Sequence, residues 1–431
     1  MTAFGRNPDL EFSSPAEIRK TQEALLKDHL RYLAASSPYY RSLFQQQGID
    51  PTKVTLDSLR SLPFTDKTVL GEQNKDFFAA PLSQVVDIVL SSGTTGKPTT
   101  IHYTENDLQR LAYNEQISFL SCGLTKDDIV LLTCTIDRCF IAGLAYFSGV
   151  RSIGAAAIRN GLSSVESHAE IIQQLRPTAI VGVPTFLLKL GTYLQSQNLD
   201  PALIGVKKLI CIGEPIRDQQ LVFLRIGENL EKMWGARIYS TYASTETITS
   251  FCECTAQQGG HLHPDLAIVE IVNDQGEVLS HGEAGEVVMT PLAIEGTPLL
   301  RFRTGDISFL VDSPCACGRN SPRLGPILGR KKQMIKLRGT TLYPNSIYAV
   351  LDTVPEISDY YVVVSSDYDL SDQVKVYVAV KNDSCTQAWI MDKLQSRLRV
   401  RPEVIVESEQ NIRQQVYAGN SRKPIRFLDM R

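Results

Sequence analysis

From about Val85 onward, short β-branched runs alternate with helical stretches, and this alternation limits the fold more than any other feature of the chain. "DIVLLTCTI" (Asp128–Ile136), "TAIVGVP" (Thr178–Pro184) and "KKLICIGEP" (Lys207–Pro215) read as strands buried on both faces. Amphipathic patterns such as "SVESHAEIIQQLRP" lie between them. Strands that alternate with helices in this way build a largely parallel sheet with helical crossovers.

The flanks have a different texture. Ser14-Pro15-Ala16-Glu17 has the form of a capping box with proline at the first helical position, and Ile18, Leu25, Leu26, Leu30 and Leu33 follow at helical spacing. From about Val269, "VEIVNDQGEVL" and "GEVVMTPL" predict a smaller antiparallel subdomain. Past Gly329, "YYVVVSSD" and "QVKVYVAVKND" pair like a hairpin, "CTQAWIMDKLQSRL" is an amphipathic helix and "PEVIVE" another strand. We therefore expect an N-terminal domain over 1–329 and a small α+β domain over 330–431. A chain of 431 residues is long enough to bury such cores without staples.

A net charge of −3 gives no bulk attraction to nucleic acid or anionic membrane. "MTAFGRNPDLEF" has no apolar signal region, and "FIAGLAYFSGV" (Phe140–Val150) is too short to span a bilayer, so a cytoplasmic location is expected. Nine cysteines are then expected to be reduced. Two pairs stand out, Cys252-Glu253-Cys254 and Cys315-Ala316-Cys317, with His261 and His263 close behind the first. Thiolates and imidazole at this density suit tetrahedral zinc.

One loop points to phosphate. "VLSSGTTGKPTT" (Val89–Thr100) places glycines, hydroxyls and Lys97 directly after an apolar run. In a Walker-type loop the lysine precedes Ser or Thr and a helix; here Pro98 follows Lys97, removes an N–H and disfavours the helical conformation before it. Backbone N–H groups, hydroxyls and a mobile ammonium remain, a set suited to clamping a triphosphate tail. "GEP" (Gly213–Pro215), "YASTET" (Tyr242–Thr247), "RFRTGD" (Arg301–Asp306) and "GRKKQMIKLRG" (Gly329–Gly339) follow in order.

Together these stretches resemble the adenylate-forming superfamily of acyl-CoA synthetases, luciferases and adenylation domains. The resemblance is closest to the phenylacetate–CoA ligase family, through "LPFTDK", "SSGTTGKPT", "YTENDL", "CACGR" and the terminal "RKPIRFLDMR". It implies a large N-terminal α/β domain with mixed sheets and a small antiparallel β subdomain, followed by a small mobile α+β domain. It implies the use of ATP, Mg²⁺ and CoA, with acid activation through an acyl-adenylate. Ser91, Ser92, Gly93, Thr94, Thr95, Gly96 and Lys97 would hold the β- and γ-phosphates. Glu246 would be the magnesium ligand beside Thr245, and Tyr242 would pack on adenine opposite Gly213, Glu214 and Pro215. Asp306 would accept the ribose hydroxyls, with Arg330 as its partner near ribose and phosphate. Lys423 would bridge substrate carboxylate and phosphate; Lys332 would be the hinge, and Gly339 would face the incoming pantetheine arm. The resemblance also selects Cys254, His261, Cys315 and Cys317 as the zinc ligands, a filled and therefore structural set.

The acyl pocket is expected from Phe140, Ala142, Gly143 and Tyr146, with Val183, Pro184 and Ile212 across from them. This lining favours a flat aromatic acid such as phenylacetate, a benzoate or an aminobenzoate over a fatty chain. Two further readings stay open: loading of a carrier-protein thiol in place of CoA, and a zinc-dependent binding module without enzymatic activity. The expected partners are a small aromatic acid, ATP and CoA, with a homodimer as one assembly and neither nucleic acid nor membrane.

Overall fold

The computed structural model describes residues 5–91, 99–337, 340–366, 372–382, 385–417 and 424–431. The chain divides into two compact units, Met1–Ile327 and Leu328–Arg431. Among the described residues, no helix is long and apolar enough to cross a membrane.

The first unit opens with the helix Pro15–Ser36, whose N-cap Ser14 Oγ accepts the Glu17 N–H, as its capping pattern predicts. Strands β1 (Thr65–Asp66), β2 (Val85–Ser91) and β3 (Thr99–Thr104) follow. β2 and β3 pair antiparallel up to Ser91↔Thr99, so strand and not helix follows Pro98, as its missing N–H requires. β4 (Ile129–Leu132), β5 (Ala156–Arg159), β6 (Ala179–Gly182), β7 (Lys208–Ile212), β8 (Arg237–Ser244) and β9 (Thr249–Cys252) form one six-stranded sheet in the order β5-β4-β6-β7-β8-β9. All its pairings are parallel except β8 with β9. Three of these strands are the apolar runs of the sequence, shortened because pairing stops where each run enters its loop.

The strand order reverses beside β4: β5 lies on one side of it and β6 on the other. Chain segments leaving β4 and β6 therefore diverge beyond their carboxyl ends, the usual place for a ligand in an open α/β sheet. β10 (Gly260–His261) joins a three-stranded sheet with β14 (Leu310–Val311) and β15 (Arg323–Leu324). β11 (Ala267–Val272), β12 (Gly285–Pro291) and β13 (Phe302–Ser308) run antiparallel, with β1 added parallel to β13.

The helix Glu105–Ser121 joins these sheets. Its N-cap is a capping box of Thr104 and Asp107, and Asp107 also accepts the N–H groups of Glu295 and Gly296 at 2.8 Å. One turn on, the fully buried Arg110 donates from Nε to Leu292 O (2.7 Å), from Nη1 to Ile248 O (2.5 Å), and from Nη2 to Leu266 O (2.5 Å) and Thr249 Oγ1 (3.3 Å). Burial draws Arg110 down only to about 10, so it stays charged at neutral pH. The helix Ile141–Ile153 crosses this one at Gly149, where a Cβ would collide with the Glu115 side chain.

The second unit is a mixed sheet packed by helices. β16 (Gly329–Arg330), β17 (Ile335–Leu337) and β18 (Thr340–Leu342) lead to β19 (Ile357–Ser366), β20 (Asp372–Val380), β21 (Glu403–Val406) and β22 (Phe427–Asp429), and the last four pair in the order β21-β20-β19-β22. β19 and β20 are the expected hairpin pair, with the helix Gln387–Leu398 packed into the same apolar core. The Arg431 guanidinium donates to Lys332 O and Met334 O, and pairs with Asp372 at 3.0 Å.

Two stability predictions follow from the first unit. Arg110→Met removes the donor of three buried carbonyls, so urea unfolding should show a loss of about 3–5 kcal/mol at an unchanged m-value. His29 is buried with Nε2 on Leu299 O, and burial holds it at about 4 in the folded chain against 6.5 when unfolded. Its contribution, about 3 kcal/mol, is present above pH 6.5 and is lost as pH falls through 4. Melting temperatures of His29→Gln should fall less than those of the parent between pH 6.5 and 4.

Candidate active site and metal centre

In the first unit, Gly213–Pro215, Tyr242, Glu246 and Asp306 of the expected ATP set lie on or beside strands of the six-stranded and antiparallel sheets. Tyr242, near the end of β8, donates its hydroxyl to Asp306 Oδ2 of β13 at 3.0 Å. Residues 64 positions apart and on different sheets thus form one pair. Glu246, in the turn after β8, is nearly buried; its Oε2 accepts from Ser244 Oγ (3.2 Å) and its Oε1 lies 3.1 Å from Lys67 Nζ. Lys67 stood outside the expected set. Its contact spans 179 positions, and nothing in the spacing of "FTDK" announces it.

Gly213 leaves β7 with φ +74°, a left-handed turn that suits glycine. Both carboxylate oxygens of the next residue, Glu214, are engaged by Thr185, through its N–H (3.1 Å) and its hydroxyl (2.9 Å). Glu214 therefore caps the helix Pro184–Ser196. Ser91 is buried at the end of β2. Ser92, Gly93, Thr94, Thr95, Gly96 and Lys97 lie outside the described residues, as do Gly339 and Lys423. Arg330 is exposed on β16 and Lys332 sits in a short 3-10 turn, both in the second unit.

The expected acyl residues lie in and just before the helix Ile141–Ile153 and at the carboxyl ends of β6 and β7. Ala142, Tyr146, Val183 and Ile212 share one apolar cluster with Cys134. Gly143 lies so close to Thr135 O that no larger residue fits. Phe140 is 38% exposed, just before the helix Ile141–Ile153 begins. Arg138 and Cys139 ahead of it have φ +63° and +53°, which costs about 1–2 kcal/mol each for L-residues. The Leu90 N–H holds this turn through Cys139 O at 3.0 Å.

The cysteine pattern converges as well. Donor atoms of Cys254, His261, Cys315 and Cys317 all lie within 4.8 Å of one another. Cys254 Sγ is 3.6 Å from Cys315 Sγ, and Cys317 Sγ is 3.3 Å from His261 Nε2. Tetrahedral zinc–thiolate geometry separates sulfurs by about 3.7 Å, so the donor set fits the ion. His261 Nδ1 donates to Ser321 O at 3.0 Å, which turns the Nε2 lone pair towards the thiols. Three short strands deliver these groups: Cys254 follows β9, His261 is in β10, and both other cysteines precede β15. His263 points elsewhere, bonding Ser118 Oγ (2.9 Å) and the buried Glu11 carboxylate. Glu11 also pairs with Arg319 at 2.5 Å, and its carbonyl accepts the Asn320 N–H at 2.6 Å. The loop that carries two of the cysteines therefore also grips the N-terminal segment.

A family profile described as AMP-binding enzyme matches residues 34–291, more than half of the chain, and one described as AMP-binding enzyme C-terminal domain matches 339–431. The chain is 32% identical over 379 residues to a phenylacetate-coenzyme A ligase of Thermus thermophilus, covering 86% of this chain and 84% of the relative. It is 28% identical to the phenylacetate-coenzyme A ligase of Escherichia coli, over 88% and 86% of the two chains. The fold is like that of a 2-hydroxyisobutyryl-CoA ligase crystallised in its postadenylation state, with a TM-score of 0.87, 21% identity, and coverage of 98% and 92%. The chain belongs to the AMP-binding enzymes, within the phenylacetate–coenzyme A ligase family.

Proposed function

We propose that this enzyme is an AMP-forming acid–CoA ligase acting on an aromatic carboxylic acid, as the names of its relatives suggest. The observation that carries this reading is the apolar cluster in which Ala142 and Tyr146 of the helix Ile141–Ile153 cover Val183 and Ile212 at the carboxyl ends of β6 and β7, in the sheet whose β8 carries Tyr242, the partner of Asp306. A flat ring fits such a lining, and the adjoining pair suits a nucleoside.

In the first half-reaction the acid's carboxylate attacks the α-phosphate of ATP, giving acyl-adenylate and pyrophosphate. In the second the CoA thiol attacks the acyl carbonyl, releasing AMP and giving the thioester. The main obstacle in the first step is repulsion between two anions, so positioned positive charge is the principal aid. We assign Ser91 to Lys97 to the β- and γ-phosphates, Lys423 to the meeting of carboxylate and α-phosphate, Asp306 to the ribose hydroxyls, and Arg330 to ribose and phosphate. Tyr242 orients Asp306 and packs on the base opposite the backbone of Gly213–Pro215, beside Thr245. Glu246 is the carboxylate suited to Mg²⁺, which when bound neutralises phosphate oxygens. Lys332 is assigned as the pivot between half-reactions, and Gly339 to the thiol's approach.

The test is ATP–pyrophosphate exchange with a panel of aromatic and aliphatic acids, followed by thioester assay with CoA and with a phosphopantetheinylated carrier protein. Aromatic acids should drive exchange and CoA should accept the product. Transfer to the carrier alone would replace CoA with a carrier thiol, and an absence of exchange with every acid would leave a binding module. Lys423→Ala should slow adenylate formation by about 10²–10³, the scale of one lost electrostatic contact, while sparing thioester formation from supplied acyl-adenylate.

We also assign Cys254, His261, Cys315 and Cys317 to one structural Zn²⁺, because all four positions are filled by protein. Metal analysis should find about one zinc per chain, and Cys315→Ser should lower both zinc content and melting temperature more than the exchange rate. Full zinc occupancy in a Cys254→Ser, His261→Ala double variant would overturn this ligand set.

A further inference from the structure

Beside the apolar cluster of the expected acyl residues, two buried side-chain oxygens have no hydrogen-bond partner among the described residues. In the parallel sheet, paired residues point to the same side, and Leu132↔Val181↔Ile210↔Tyr239 mark one row facing the helices Glu105–Ser121 and Ile141–Ile153. Two residues further towards the carboxyl ends, the next row is Cys134, Val183, Ile212 and Thr241; Ile212↔Thr241 are directly paired. Cys134, Ile212 and Val183 belong to the same apolar cluster as Tyr146 and Ala142, which cover them from the helix. Thr241 is buried in this row, and its Oγ1 has no hydrogen-bond partner among the described residues. Its cross-strand neighbour Cys252 offers only a thiol, a weak partner.

Glu115 approaches the same cluster from the helix Glu105–Ser121. Its Oε1 accepts from Ser250 Oγ at 2.6 Å, while Oε2 is buried without a partner among the described residues. The carboxyl is near enough to Cys134 and Tyr146 for its charge to act on both. Burial raises Glu115 to about 7, so near neutral pH it can be present as a carboxylic acid that both donates and accepts. An unpaired buried oxygen destabilises a protein, and two such oxygens lie beside this one apolar cluster.

We infer that Glu115 and Thr241 form a polar end to the acyl pocket and select aromatic acids that carry a hydroxyl or amino group on the ring. This rests on the aromatic-acid reading above. A ring substituent of either kind would complete the hydrogen bonding of both oxygens, whereas a plain ring would leave them unpaired. Sites built to hydrogen-bond a substrate group discriminate strongly against analogues that lack it.

The experiment compares kcat/KM in pyrophosphate exchange for benzoate and phenylacetate with that for their hydroxy- and amino-substituted counterparts. The parent enzyme should prefer the best substituted acid by at least about tenfold. Thr241→Val, which preserves shape, and Glu115→Met should each narrow that ratio by about tenfold, while Glu115→Gln, which still hydrogen-bonds, should retain most of it. Equal rates with plain and substituted acids overturn the inference and leave the aromatic-acid reading standing. Variants that slow both sets equally also overturn it, because the preference then arises elsewhere. If Glu115→Met does not fold, the Thr241→Val ratio decides. Exchange with aliphatic acids alone overturns the aromatic-acid reading, and this inference with it.

Discussion

The site depends on one buried cation. Arg110 reaches from the helix Glu105–Ser121 to the carbonyls of Ile248, Leu266 and Leu292, which belong to three separate stretches of chain. Ile248 borders β9 of the six-stranded sheet, while Leu266 and Leu292 flank β11 and β12 of the antiparallel sheet. A guanidinium taken out of water needs its donors filled, and these carbonyls need a donor. Each side therefore fixes the other, and the two sheets meet in one register. Asp107 does the same at the helix start, where Gly296 lies against His102 O with no room for a side chain.

That junction also brings together the residues proposed to hold the nucleotide. Tyr242 belongs to one sheet and Asp306 to the other, so their hydrogen bond exists only because the sheets are locked together. The turn carrying Glu246 lies between β8 and β9, directly before the Ile248 carbonyl that Arg110 holds. Catalysis in this enzyme class is mostly alignment and charge neutralisation. Rigidity at this seam is thus part of the chemistry.

The cysteine cluster follows a related logic on a smaller scale. Its sheet is three short strands, β10, β14 and β15, too little to hold a loop by pairing alone. The loop from Cys315 to Ser321 is anchored at both ends, by the convergence of sulfur donors on His261 and by Glu11, whose carboxylate meets His263 and Arg319. The Arg319 guanidinium also lies 4.8 Å from the ring of Phe12, packing the N-terminal segment against the same loop.

Much of the architecture could be read before any coordinates. The buried strands are apolar runs, the first helix is signalled by its cap, and proline after Lys97 requires strand where a Walker loop would require helix. Local rules suffice there because the cause is local: periodicity, a missing N–H, a capping hydroxyl. Tyr242 and Asp306 were each visible as motif members, and the two Cys-X-Cys pairs as a pattern, because residue type and order carry that information. Their meeting did not follow from it. Nothing in residue type or spacing marks Arg110, Lys67, Thr241 or Glu115, since their partners lie 135 to 182 residues apart or, for Glu115 Oε2 and Thr241 Oγ1, are absent among the described residues. The sequence by itself determined which elements form and which chemistry they carry. Only the tertiary structure decided which polar groups are buried together and which are left unpaired, because desolvation acts on groups brought close in space, whatever their separation along the chain.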